Sequence, residues 1–269
     1  LTADGKKVKA SCPSGTSVGK YEKPVLKAKE AVLKINGLRL RICKKEFSSQ
    51  LEFDEFLKKN SSFANVTLSL SIAFCRAFDT LPRPRKKTLP RLQVLAFEGG
   101  VHSNSSLKIQ EFLIMAKNVG QGRDFYQRLK KGLEKKEIDT DTGLEGGFAP
   151  NDLTDEGALE LMTKLLPKGT KFGLDFGGSY YRGKEKTIEE LIKRFPIVSV
   201  EDPLGEDDQK SWKSFYRKFK DKLLIVGDDL VVTNASRLRK ALQPKVINAV
   251  IVKPNQIGTL SETLDAIKI

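Results

Sequence analysis

The chain has 269 residues, 39% of them hydrophobic, enough to build a proper core in one large or two smaller domains. Its formal net charge of +14 favours an acidic partner, whether a phosphorylated metabolite, RNA or another protein, without choosing among them. A single histidine excludes a multi-histidine metal cluster within this chain, Cys12, Cys43 and Cys75 lack C-x-x-C spacing and read as reduced structural thiols, and no apolar run approaches the roughly 18 residues that cross a bilayer.

Leu1 to Ala10 is polar and lysine-rich, unlike a signal segment, so a cytoplasmic address is the default. Val8 to Cys12 alternates as a strand, Pro13 to Gly19 is a turn-rich loop, and Leu51–Leu57 and Ala64–Phe78 carry helical apolar spacing. The lysines and arginines are dispersed rather than interleaved with aromatics as in a base-stacking groove. From Leu81 to Pro90 a Pro- and Arg-rich stretch reads as a stiff, exposed linker, dividing a small α+β unit (residues 1–88) from the remainder (89–269).

Beyond the linker, Leu92–Phe97 and Gln110–Met115 read as strands. A repeating pattern follows: Phe172–Asp175, Ile197–Glu201, Leu223–Asp228 and Ala249–Lys253 are apolar runs that each end in a charged residue, with helical segments such as Thr187–Arg194 between them. Asp175, Glu201, Asp228 and Lys253 follow one another at intervals of 26, 27 and 25 residues, the length of one βα unit, so these strands are expected to be parallel and adjacent. Their near-continuous Val, Ile and Leu content predicts burial on both faces, and in a barrel such strand ends open into one mouth. The count is six strands where a closed (β/α) barrel has eight. An unpaired sixth strand would be an aggregation hazard, so a complementary chain or further C-terminal segment is expected to complete the barrel.

Three carboxylates at consecutive strand ends are costly to bury unless cations neutralise them, and hard oxygen donors suit Mg²⁺. Lys253, beside such an ion and partly buried, would have the lowered pKa of a useful base, which implies proton abstraction next to a carboxylate. Ser14 to Tyr21 fails as a P-loop, because Ser14 stands at the first glycine position and Tyr21 replaces the magnesium-binding Ser or Thr. Asp202 and Asp229, one residue past their strand ends, read as supporting or capping groups.

Val200-Glu201-Asp202-Pro203, Val226-Gly227-Asp228-Asp229-Leu230 and Lys253-Pro254-Asn255-Gln256-Ile257-Gly258-Thr259 closely resemble enolase. Pro13 to Gly19 looks like that family's mobile metal-binding loop, Gly143 to Pro150 like its catalytic-acid loop, and Gly99-Gly100-Val101-His102 and Gln110-Glu111-Phe112 like two further active-site segments. The resemblance implies an enolase-type (β/α) barrel lacking its last two strands, preceded by a small α+β domain, and reversible dehydration of 2-phosphoglycerate to phosphoenolpyruvate with two Mg²⁺ per active site. By the same resemblance Asp175, Glu201 and Asp228 hold the tighter ion and Ser17 the second. Lys253 removes the C2 proton, Glu145 protonates the departing hydroxyl with help from Glu111, and His102 closes near the substrate.

Several positions depart from the family pattern. Leu144 stands where an Asp normally precedes the acid, Glu98 replaces an Asn before Gly99-Gly100, and Val101 replaces a small or polar residue. The family's His-Arg-Ser segment and final active-site lysine have no counterpart here. Expected assemblies are a homo-oligomer or a complex with a complementary C-terminal enolase chain. The alternative reading is a non-catalytic relative that binds RNA or an acidic protein. Another acid-sugar dehydratase or racemase would share the metal trio, but not the Ser17 loop or the Glu145 segment.

Overall fold

The computed structural model describes residues 2–3, 6–13, 15–16, 18–81, 89–101, 103–181 and 185–269. Ser17, His102 and most of the Leu81–Pro90 stretch lie outside the described residues. The chain gathers into two compact units: one comprises residues 1–86, 231–240 and 251–269, the other 87–230 and 241–250. The linear division at residue 88 therefore does not describe how the last residues are grouped.

In the first unit a short antiparallel pair, β1 (Thr2–Ala3) and β2 (Lys6–Lys7), precedes three helices, α1 (Ala28–Cys43), α2 (Gln50–Asn60) and α3 (Ala64–Phe78). The alternation at Val8–Cys12 does not become a strand; those residues have no regular structure. All five remain at least partly exposed, so no apolar face drives pairing there. Helix α2 starts where Ser49 Oγ accepts the Glu52 N–H (3.2 Å), and Phe53 and Leu57, one turn apart, are fully buried against Val66, Leu70 and Phe74 of α3. Phe53 and Phe74 stack at 4.2 Å. The short α9 (Pro254–Ile257) and α10 (Leu260–Lys268) join this unit through polar anchors. Buried Asp54 accepts from Gln50 Nε2 (3.0 Å) and from the Ser261 N–H (2.9 Å), while Ser71 Oγ accepts the Leu260 N–H (3.0 Å).

In the second unit six strands lie in chain order: β3 (Leu92–Glu98), β4 (Glu111–Ala116), β5 (Phe172–Asp175), β6 (Ile197–Glu201), β7 (Leu224–Gly227) and β8 (Ala249–Val250). β5 to β8 are parallel, as the interval between strand ends predicts, but β4 runs antiparallel to both neighbours. The connections explain this. Among the described residues no helix separates β3 from β4, and two helices, α4 (Val119–Glu134) and α5 (Asp155–Leu165), carry the chain across and back before β5, so each connection reverses direction. Among the described residues one α-helix, α6 (Glu185–Arg194), α7 (Gln209–Phe219) or α8 (Ala235–Ala241), lies in each later connection and restores the parallel sense. Phe125, Leu129 and Leu133 form the buried stripe of α4. All four residues of β5 are buried, as are Ile225, Val226 and Gly227 of β7, so the inner strands are covered on both faces.

The last predicted strand is shorter than its apolar run. Only Ala249 and Val250 pair, and Asn248 extends the ladder by accepting the Ile225 N–H on Oδ1 (2.7 Å). Lys253 instead caps α9: Pro254 at the first helical position fixes a helical φ, and the Lys253 N–H donates to Thr233 Oγ1 (2.8 Å).

Candidate active site

Strand register sets the site. Glu98 lies opposite Glu111, Glu111 opposite Asp175, and Asp175 beside Glu201, so four carboxylates stand in a row across β3, β4, β5 and β6. Residues paired in register project to the same side of a sheet, which makes the row one acidic surface. Asp228 follows the end of β7, and Asp202 follows the end of β6. Relative exposures are 0% for Glu98, 2% for Asp202, 5% for Asp175, 7% for Asp228 and 9% for Glu201, so nearly all of this charge is held away from bulk water.

Each buried carboxylate is held differently. Asp175 Oδ1 accepts the Gly177 N–H (2.8 Å) and Oδ2 accepts Gln110 Nε2 (3.0 Å). Asp202 adopts φ +36° and uses both oxygens, Oδ1 on the Asp228 N–H (3.1 Å) and Oδ2 on the Asp229 N–H (2.6 Å). It thereby fixes the backbone that presents Asp228, the supporting role expected of it. Burial, then the charges of Asp175, Asp228, Asp202 and Glu111, push the Glu201 carboxyl well above the usual carboxylate range. Burial, then Asp175, Asp228 and Asp229, raise Asp202 in the same way. These charges repel one another across neighbouring strand ends. Among the described residues no three carboxylate, thiol or imidazole side chains already converge as a ready-made cage for an ion. The fit to a hard divalent cation therefore rests on burial, repulsion and adjacency, and Asp175, Glu201 and Asp228 satisfy all three.

The Gly143–Pro150 loop is built from glycine and backbone contacts. Gly143 N–H donates to Gly147 O (2.9 Å), and Phe148 lies beside Phe97 of β3, exchanging Phe148 N–H to Ala96 O (2.9 Å) and Glu98 N–H to Phe148 O (2.9 Å). Gly146 has φ +94°, a conformation open to glycine and strained for other residues. The turn carries Glu145 outward, where it is exposed, as is Leu144 at 74%. A cavity of about 420 Å³ beside the loop is lined by Val101, Asn104, Gly143 and Leu144 but by no member of the carboxylate row.

Lys253 belongs to the first unit. It is exposed rather than partly buried, so the burial expected to tune it is absent. Ser17 and His102 lie outside the described residues. In the sequence Gln110 carries no assigned role, although it sits next to Glu111, and Glu98 stands out only as a departure. The signal for both was register, because each is at the same edge of the sheet as the assigned carboxylates.

The family described as "Enolase, C-terminal TIM barrel domain" matches residues 86–186 and 180–269. Proteins named Enolase from Helicobacter pylori (strain G27) and Ehrlichia canis (strain Jake) are each 32% identical, covering 100% of this chain and 77% of the relative. The Enolase of Ehrlichia ruminantium (strain Welgevonden) is 33% identical over 97% of this chain and 76% of its own length.

Proposed function

The chain belongs to the enolase family, the phosphopyruvate hydratases, and from that premise we propose that it interconverts 2-phosphoglycerate and phosphoenolpyruvate in glycolysis and gluconeogenesis, with two Mg²⁺ per active site. The observation that carries this reading is the buried row of carboxylates, whose mutual repulsion opposes folding unless cations offset it. Asp175, Glu201 and Asp228 are the proposed ligands of the first ion, and Ser17 belongs with the second. Bound Mg²⁺ supplies positive charge next to the substrate carboxylate, which lowers the barrier to losing the neighbouring C2 proton.

The chain's own groups then divide the proton transfers. Lys253, as the free amine, takes the C2 proton and becomes an ammonium. Glu145 gives its proton to the C3 hydroxyl, which leaves as water, and the C2–C3 double bond forms. Glu111 helps to orient the departing oxygen, and His102 closes near the substrate. An exposed position for Glu145 lets it recover its proton from solvent between turnovers.

The test is the absorbance of phosphoenolpyruvate formed from 2-phosphoglycerate by the intact protein in Mg²⁺, with a chelator control. Lys253→Ala is expected to lower kcat by about 10²- to 10⁴-fold, the range of a general base, with Mg²⁺ binding by calorimetry unchanged. Full activity in that variant would remove Lys253 from the mechanism.

A further inference from the structure

Glu98 is the residue on which the loops around the acid meet. It is fully buried at the end of β3. Its side chain accepts the Glu145 N–H on both carboxylate oxygens (3.0 and 3.0 Å) and the Gly147 N–H on Oε2 (3.1 Å). Its own N–H donates to Phe148 O (2.9 Å), and its carbonyl accepts Ser103 Oγ (2.9 Å) and Ser105 Oγ (3.1 Å). The fit allows no intervening side chain: a Cβ on Gly143 would lie 2.5 to 2.7 Å from the Glu98 carboxylate, and one on Gly147 would lie 2.9 Å from Glu98 Cβ.

We infer that Glu98 is a positioning residue for the dehydration step, a buried carboxylate that clamps the Gly143–Gly147 turn and so fixes where Glu145 delivers its proton. The chemistry favours a carboxylate there. Two backbone N–H donors facing one side chain need acceptors only, and an ionised carboxyl offers two oxygens and no donor. A neutral amide with its oxygen in the Oε2 place would still accept both N–H groups but would set its NH₂ 3.0 Å from the Glu145 N–H, donor against donor, where the carboxylate accepts a second bond. This inference rests on Glu145 being the acid.

The two proton transfers provide a test that a merely structural residue would not pass. Exchange of the C2 proton with deuterated solvent, followed by NMR, reports the base alone, whereas phosphoenolpyruvate formation also needs the acid. In Glu98→Gln, kcat for dehydration should fall by about 10- to 100-fold, the effect of a misplacement of about 1 Å, with KM and C2 exchange close to wild type. Amide hydrogen exchange at Glu145 and Gly147 should accelerate by about tenfold or more. That measurement needs no catalysis, and Glu98→Asp, which keeps two acceptor oxygens on a shorter stem, should lie between wild type and Gln. Unchanged protection and kcat in Glu98→Gln, or equal loss of dehydration and C2 exchange, would overturn the inference. A wild-type protein that shows neither reaction in Mg²⁺ would overturn the enolase reading and, with it, any role of Glu98 in positioning an acid.

Discussion

Replacing Glu201 by Gln tests whether the acidic row is a source of strain that cations relieve. Glu201 and Asp175 are registered neighbours on adjacent parallel strands, with Asp202, Asp228 and Glu111 also raising the Glu201 carboxyl. Two unit charges about 5 Å apart repel by roughly 3 kcal/mol at an effective dielectric of about 20. The sign follows from linkage. Glu201 titrates above its ordinary value of 4.5 when folded, so the fold binds the proton more tightly than the unfolded chain. Stability from that proton is complete below the unfolded value and is lost as pH rises through the folded one. At pH 7.5 without Mg²⁺, Glu201→Gln should therefore be more stable than wild type by about 1–3 kcal/mol, with a shallower loss of stability as pH rises above 4.5. Mg²⁺ should stabilise the wild type by about 2.7 kcal/mol at a hundred times its Kd and the variant far less. Urea denaturation at several pH values, with and without Mg²⁺, gives all three quantities. A variant less stable than wild type in the absence of metal, with the pH slope intact, would refute the reasoning.

Gln110→Leu removes the amide that holds Asp175 Oδ2 and should weaken Mg²⁺ binding by about 10- to 100-fold in calorimetry without substrate, the usual effect of losing such a support. Gly147→Ala places a methyl 3.0 Å or less from Glu98 N, Glu98 Cβ and Leu95 Cγ; a loss of about 1–3 kcal/mol in urea unfolding, with reduced kcat, is expected. Phe53→Ala empties the centre of the helical core, where Phe53 is fully buried and stacked on Phe74, and should cost about 3–5 kcal/mol by chemical denaturation.

The parallel half of the sheet was legible because buried parallel strands print their period on the sequence: Asp175, Glu201 and Asp228 sit one βα unit apart. The antiparallel entry was not, because Leu92–Phe97 and Gln110–Met115 look the same whichever way they run, and direction is decided by how many helices cross between strands. Val8–Cys12 shows the converse error, where alternation without a face to bury against gives no strand. Lys253 was legible in type but not in setting. Its apolar run reads as strand to the end, yet pairing stops at Val250 and the lysine is left exposed as the cap of α9. Glu98 was visible only as an unusual letter, since its partners are backbone N–H groups 47 and 49 residues away and leave no residue-type signature.

The reversal of β4 matters for the chemistry as well as the topology. In an all-parallel sheet only the last residues of strands reach the acidic edge, one per βα unit. Because β4 runs the other way, its first residue, Glu111, stands in register between the last residues of β3 and β5. The short connection from Glu98 to Glu111 thus contributes two carboxylates from one hairpin. Their surroundings then separate their roles. Glu98 is fully buried on backbone donors of the Gly143–Gly147 turn, whereas Glu111 is only partly buried and faces Asp175 in register. Glu201 is buried among four other carboxylates that all disfavour its charge. The row therefore divides into a clamp at one end and a cluster of mutually repelling carboxylates at the other. A cation can relieve the cluster without disturbing the clamp, so metal binding and acid positioning should respond to mutation independently: Glu98→Gln should leave Mg²⁺ affinity unchanged, and Gln110→Leu should leave the amide protection of Glu145 unchanged.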